Sequence, residues 1–170
     1  DITYTSYMYT QLVNDFIRNV IKKKTSVITT GKSASFVLDA CSTNEEAYGE
    51  LILINPENIR TLHKKPSKRT KTAAFLLRLP CIGTFIYHLL TRKKSIREHF
   101  EDDYFYDPEK ISEALYDYYY ESAHLKGKNA GNLAVSLNGR YTNANIIQTL
   151  KNINNNIHIL AGAEVPGIKE

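Results

Sequence analysis

The most constraining feature of this chain is a short β-branched run that stops abruptly and is followed at once by a helix. Ser26-Val27-Ile28-Thr29-Thr30 has the composition of a buried strand, and Gly31-Lys32-Ser33-Ala34-Ser35 leads directly into the apolar Phe36-Val37-Leu38. A strand, a sharp turn and a helix in so few residues point to an α/β protein. Leu51-Ile52-Leu53-Ile54, apolar on both faces and ending at Asn55-Pro56, fits a parallel strand covered by helices. A third strand is predicted at Ile157-His158-Ile159-Leu160-Ala161, ending at Gly162. Ahead of the first strand, Tyr9, Leu12, Val13, Phe16, Ile17, Val20 and Ile21 have the spacing of one buried helix face, closed by Lys22, Lys23 and Lys24 at the negative end of the helix dipole.

The stretch between the second and third strands reads as helix and loop and is too long for a simple crossover. It is therefore expected to be an insertion. The implied organisation is a core over residues 1–56, a helical cap over 57–152, and a returning strand and turn over 153–170. Residues 56–72 are polar and basic, as in an exposed loop. Ala73 to Leu90 is strongly apolar and just reaches the length of a membrane helix, but Arg78, Pro80, His88 and basic residues at both ends argue against a span. A single buried or substrate-facing lid helix is expected there. Asp107-Pro108 supplies a cap and a first-turn proline for a helix through Ile111, Leu115, Tyr118 and Tyr119, with Tyr116 and Tyr120 beside it.

Charge and cysteine content narrow the function classes. The 22 Lys and Arg against 18 Asp and Glu give only +4, too little for a dedicated nucleic-acid groove, and the tyrosines alternate with Asp117 and Glu121, which would repel phosphates. Cys41 and Cys81 have no second cysteine near either, so neither a zinc knuckle nor a disulfide framework is written. A reducing, cytoplasmic setting is expected. The chain opens at Asp1 without the basic and apolar regions of a signal peptide and is expected to be an excerpt of a longer protein.

The turn after the first strand carries the candidate chemistry. Gly31-Lys32-Ser33 matches the end of the phosphate-loop pattern, but that pattern needs a glycine where Ser26 stands, and Val27 to Thr30 read as strand. Nucleotide binding is therefore not expected. Read as small-x-Ser-x-small, the same residues form a hairpin that lifts Ser33 into the open, with Gly31 and Ser35 small because strand and helix backbones come close there, and with Ser33 in a strained conformation. The Ala34 N–H is then expected to face an oxyanion formed when Ser33 attacks a carbonyl. A plain helix-capping role is the structural alternative for Ser33.

Val27 to Phe36 resembles the nucleophile elbow of the α/β-hydrolase superfamily. Leu51 to Pro56 looks like the strand that follows it, and Ile157 to Glu164 like the strand leading to the acid turn. Arg78-Leu79-Pro80 through Gly83 and Leu89-Leu90-Thr91 to Ser95-Ile96 is similar to the helical cap of bacterial members. The resemblance implies a partial α/β-hydrolase fold, a mostly parallel sheet with an inserted helical cap over the nucleophile, truncated at both ends. It also implies a serine hydrolase acting on an ester, thioester or amide, with a lipophilic substrate suggested by Phe75, Leu76, Leu77, Phe85, Ile86 and Tyr87.

The resemblance places an acid after the third strand, where Glu164 precedes the usual position, occupied by Val165; Glu57, past the second strand, ranks next. No histidine follows Glu164. His63, His88, His99, His124 and His158 all precede it, so the base is expected from outside these 170 residues, and without one Ser33 is a poor nucleophile. The alternative is a non-catalytic binding module that keeps the fold. The expected partner is a small-molecule substrate, with no cofactor, metal, nucleic acid or membrane span, and the sequence assigns no oligomeric state.

Overall fold

The computed structural model describes residues 2–125 and 131–163. They divide into a sheet unit, spanning residues 4–65 and 140–163, and a helical unit, spanning 66–139 with residues 2 and 3. Residues 57–65 and 140–152, expected with the helical insertion, cluster with the sheet unit.

The sheet unit opens with α1 (Ser6–Phe16), capped by the Thr5 side chain, which accepts from the Met8 N–H. The helix continues as a π turn, Ile17–Ile21, and ends where Lys22 turns left-handed at φ 59°. Strand β1 (Thr25–Thr30) follows, then α2 (Ser33–Thr43), β2 (Tyr48–Ile54) and the short α3 (Ile59–Leu62). After the helical unit the chain returns through α9 (Ile146–Leu150) to β3 (Ile157–Leu160). The sheet is parallel throughout, with order β1-β2-β3 and with Thr30 opposite Ile54 and Ile54 opposite Leu160. The α/β class and parallel sheet are as the strand patterns require.

Helix α2 sits at the centre of this unit. Ala34, Val37, Leu38, Ala40 and Cys41 are buried with Tyr48, Leu51 and Leu53 of β2 and with Ile146 of α9. Tyr9 of α1 stacks on Phe36 at 4.6 Å between ring centres. Burial also pushes the Cys41 thiol up to about 11, with Glu45 adding to the effect. One expectation fails. Ile28 and Leu160, on the face shared with Ile52 and Ile54 and opposite to buried Leu51 and Leu53, are exposed, so among the described residues the strands are not covered on both sides; Ile159, beside Leu53, is exposed at the edge strand. Leu12, Phe16 and Val20 of the predicted buried α1 face are exposed as well, while Val13, Ile17 and Ile21 pack inward.

The helical unit contains α4 (Lys68–Arg78), α5 (Pro80–Leu90), α6 (Lys93–His99), α7 (Glu113–His124) and α8 (Gly131–Asn138). The apolar stretch expected as one lid helix is broken into α4 and α5, bent by 101°. The cause is local. Pro80 disfavours helical backbone at the residue before it, and Leu79 is extended at φ −66°, ψ 128°. The bend is tight enough that a Cβ on Gly83 would lie 2.0 Å from the Leu77 carbonyl oxygen. No single helix among the described residues is long and apolar enough to cross a membrane.

Asp107-Pro108 opens only a 3₁₀ turn, Pro108–Lys110. The helix expected there starts later, at a second cap, where Ser112 accepts from the Leu115 N–H. Tyr116 is buried from α7, and Phe100 packs edge-on against it and against Tyr119.

Candidate active site

In open α/β sheets, ligands bind beyond the carboxyl ends of the strands. Here three turns meet at that end of the sheet unit. Gly31 follows β1 in a left-handed conformation, φ 53°, and its N–H donates to the Ile54 carbonyl at 3.1 Å. Asn55 follows β2, also left-handed at φ 43°; its N–H donates to the Leu160 carbonyl, and its Oδ1 accepts from the Gly162 N–H at 2.9 Å. Adjacent strand ends are thereby tied in sequence, β1 to β2 and β2 to β3.

Ser33 is the first residue of α2, and Lys32 before it already has right-handed backbone at φ −64°. Among the described non-glycine residues, positive φ occurs at Lys22, Asn55 and Arg140. The expectation of a strained Ser33 is therefore corrected: Gly31, two residues earlier, makes the left-handed bend, and the serine has ordinary helical backbone. The reason given for a small residue at position 31 changes too. A Cβ there would meet nothing within 4 Å, so conformation and not crowding calls for glycine. Ser35 is fully buried, and its hydroxyl donates to the Lys32 carbonyl at 2.7 Å.

Ser33 is exposed, and its hydroxyl has no hydrogen-bond partner among the described residues. Ala34 is buried, and its N–H donates to the Gly31 carbonyl at 3.3 Å, so the amide expected to face an oxyanion is engaged inside the turn.

Glu57 is held by a different partner from the one expected. Its Oε2 accepts from Lys32 Nζ at 3.1 Å, and the same ammonium donates to Asn143 Oδ1 at 2.9 Å. The Asn143 amide in turn donates to the carbonyls of Thr61 and Lys64. Both charged side chains are largely withdrawn from solvent, which strengthens the pair relative to a surface ion pair. Lys32 and Asn143 were not singled out for this role by the sequence. They lie 111 positions apart, and no local pattern connects a lysine in a turn with an asparagine in a distant loop.

The remaining candidates are dispersed. Glu164 lies outside the described residues. His63 ends α3, and His158 on β3 approaches Glu50 at 3.8 Å. In the helical unit His124 contacts the Tyr120 carbonyl through Nδ1 at 2.7 Å and stacks on His88, while His99 meets Tyr104 edge-on. Among the described residues no histidine is hydrogen-bonded to Ser33. Among the described residues no group of three or more His, Cys, Asp or Glu is arranged to hold a metal ion.

No family model matches this chain, and no curated protein does. Solved structures similar to it include two of one protein. They are crystal structures of the haloalkane dehalogenase DatA from Agrobacterium tumefaciens, one of them a tyrosine-to-tryptophan mutant. The mutant aligns with a TM-score of 0.49 at 14% identity, and the other with 0.48 at 16%. Each alignment covers 95% of this chain and 66% of the dehalogenase, so the chain spans just under two thirds of the length of those proteins.

Proposed function

We propose that this chain is the central part of a serine hydrolase of the α/β-hydrolase type, with Ser33 as nucleophile toward an ester, thioester or amide of a lipophilic small molecule. The observation that carries the reading is an exposed, unpartnered serine hydroxyl at the start of an eleven-residue helix, beyond the carboxyl ends of parallel strands. The helix N-terminus places partial positive charge beside the serine, favouring an alkoxide or a developing oxyanion there. The sequence resemblance of Val27 to Phe36 to a nucleophile elbow supports the same assignment, and the helical unit is proposed as the cap.

An unstrained serine without a base has the reactivity of a simple alcohol. The proposed mechanism therefore requires a histidine to take the Ser33 proton as its oxygen attacks the carbonyl carbon, and to return that proton to the leaving group. Glu164 is the proposed acid that orients it, with Glu57 second because Lys32 and Asn143 already occupy its neighbourhood. A lipophilic acyl group suits the apolar character of the helical unit, which contains a cavity of about 260 Å³ lined in part by Leu90, Ile96, Phe100 and Tyr119.

That cavity also favours a second reading, a binding module for a small apolar ligand that performs no hydrolysis. A fluorophosphonate probe separates the two. Labelling of the full-length protein that is lost in Ser33→Ala supports the hydrolase; labelling that persists in Ser33→Ala removes Ser33 from the mechanism. Complete absence of labelling in the folded, full-length protein supports the binding module.

A further inference from the structure

Residues 66–97 hold eight of the chain's 22 Lys and Arg (Lys68, Arg69, Lys71, Arg78, Arg92, Lys93, Lys94 and Arg97) and none of its 18 Asp and Glu. Four of the eight (Lys68, Arg69, Lys71 and Arg78) lie on α4 and none on α5, while Lys93, Lys94 and Arg97 belong to α6 and pair with Asp117, Glu98 and Glu113. The stretch also carries a run of exposed apolar side chains. On α5, Gly83 is buried, and the outward side presents Ile82, Phe85 and Leu89 at i, i+3 and i+7 spacing, 48%, 70% and 45% exposed. On α4, Ala74 is buried, and Phe75, 61% exposed, lies one turn from Lys71 and from Arg78 on the solvent side. Lys68, Arg69 and Lys71 are exposed and have no acidic partner among the described residues. Exposing this many large apolar groups in succession is costly unless something covers them.

Charge decides what covers them. A protein surface or a second copy of this chain would have to supply acids against Lys68, Arg69 and Lys71, which meet no carboxylate among the described residues. A nucleic acid would match the charge but leave Ile82, Phe85 and Leu89 without use. The headgroup region of an anionic bilayer matches both, with phosphate and carboxylate groups for the lysines and arginines and an acyl boundary for the apolar residues. Two eleven-residue helices at 101° cannot form one straight span, but a helix can lie in the interfacial plane with its apolar side buried several ångströms deep.

We infer that α4 and α5 dock this protein onto the surface of an anionic lipid bilayer, with Phe85 inserted at the acyl boundary and Lys68, Arg69 and Lys71 at the headgroups. The inference is independent of the role of Ser33.

The chain has no tryptophan, so Phe85→Trp provides a single reporter at a position too exposed to disturb packing. With phosphatidylcholine vesicles containing about a third phosphatidylserine, at about 0.1 M salt, the emission should shift to the blue and be quenched by brominated acyl chains. Tyr106→Trp, at a site 85% exposed and flanked by Asp107, should show neither effect. Co-sedimentation of the unlabelled protein should fall at least tenfold in Phe85→Glu and in the triple variant Lys68→Glu, Arg69→Glu, Lys71→Glu, and should fall steeply as salt is raised.

Failure of folded Phe85→Trp to shift would overturn the inference. So would equal binding to pure phosphatidylcholine, or binding lost in the triple variant but retained in Phe85→Glu, which would mean phosphate recognition without the apolar side. Concentration-dependent self-association without vesicles, abolished by Phe85→Glu, would assign the surface to a second copy and overturn it as well.

Discussion

Replacing Gly31 with alanine tests the geometry of the turn that presents Ser33. Two effects penalise a side chain at a glycine: collision with neighbours and the cost of a left-handed backbone. Here the first is absent, since a Cβ meets nothing within 4 Å, and the second is present at φ 53°. The expected loss for Gly31→Ala is thus the conformational term alone, about 1–2 kcal/mol, which for a domain of this size lowers the melting temperature by roughly 2–8 °C. Asparagine tolerates left-handed backbone better than alanine, and β-branched residues tolerate it worst. Midpoints of urea unfolding followed by far-ultraviolet circular dichroism should therefore rank glycine, asparagine, alanine and valine in falling order. A loss above about 4 kcal/mol for alanine would indicate a collision, and equal stability for alanine and asparagine would show that position 31 is not left-handed. Either result refutes the account of the turn, and with it the placement of Ser33 at the first position of α2.

Cys41 is fully buried with its thiol pushed up to about 11, whereas Cys81 is exposed, so a thiol reagent at pH 8 should modify one cysteine in the native protein and two after unfolding. Rapid native modification of both would place Cys41 outside the core. The pair between Lys32 and Glu57 should show a coupling of about 0.5–1.5 kcal/mol in a double-mutant cycle of Lys32→Met and Glu57→Gln, reduced in high salt; zero coupling would show that the two side chains do not meet in solution.

Local chemistry was legible wherever it is local in cause. The three strands, the turn at Gly31 and the helix after it depend on β-branching, hydrophobic spacing and neighbouring glycine or proline, all within a few residues of one another. The break in the apolar stretch at Leu79-Pro80 was written in the same terms, since Pro80 restricts the residue before it, yet the hydrophobic run outweighed it in the reading of a single helix. The later start of α7 is a similar case: two capping sequences lie five residues apart, and both Asp107 and Ser112 cap, but only the second opens a full helix.

The class of the protein follows from the order of its residues alone, because strand, turn and helix preferences act over short distances and all point the same way. Other features are set by how distant segments pack: which apolar side of α1 and of the sheet is covered, that Gly31 and not Ser33 makes the left-handed bend, and that Glu57 meets Lys32 and Asn143. These outcomes depend on which distant segments are brought alongside one another, and side-chain partners more than a hundred residues apart leave no trace in the spacing of their neighbours.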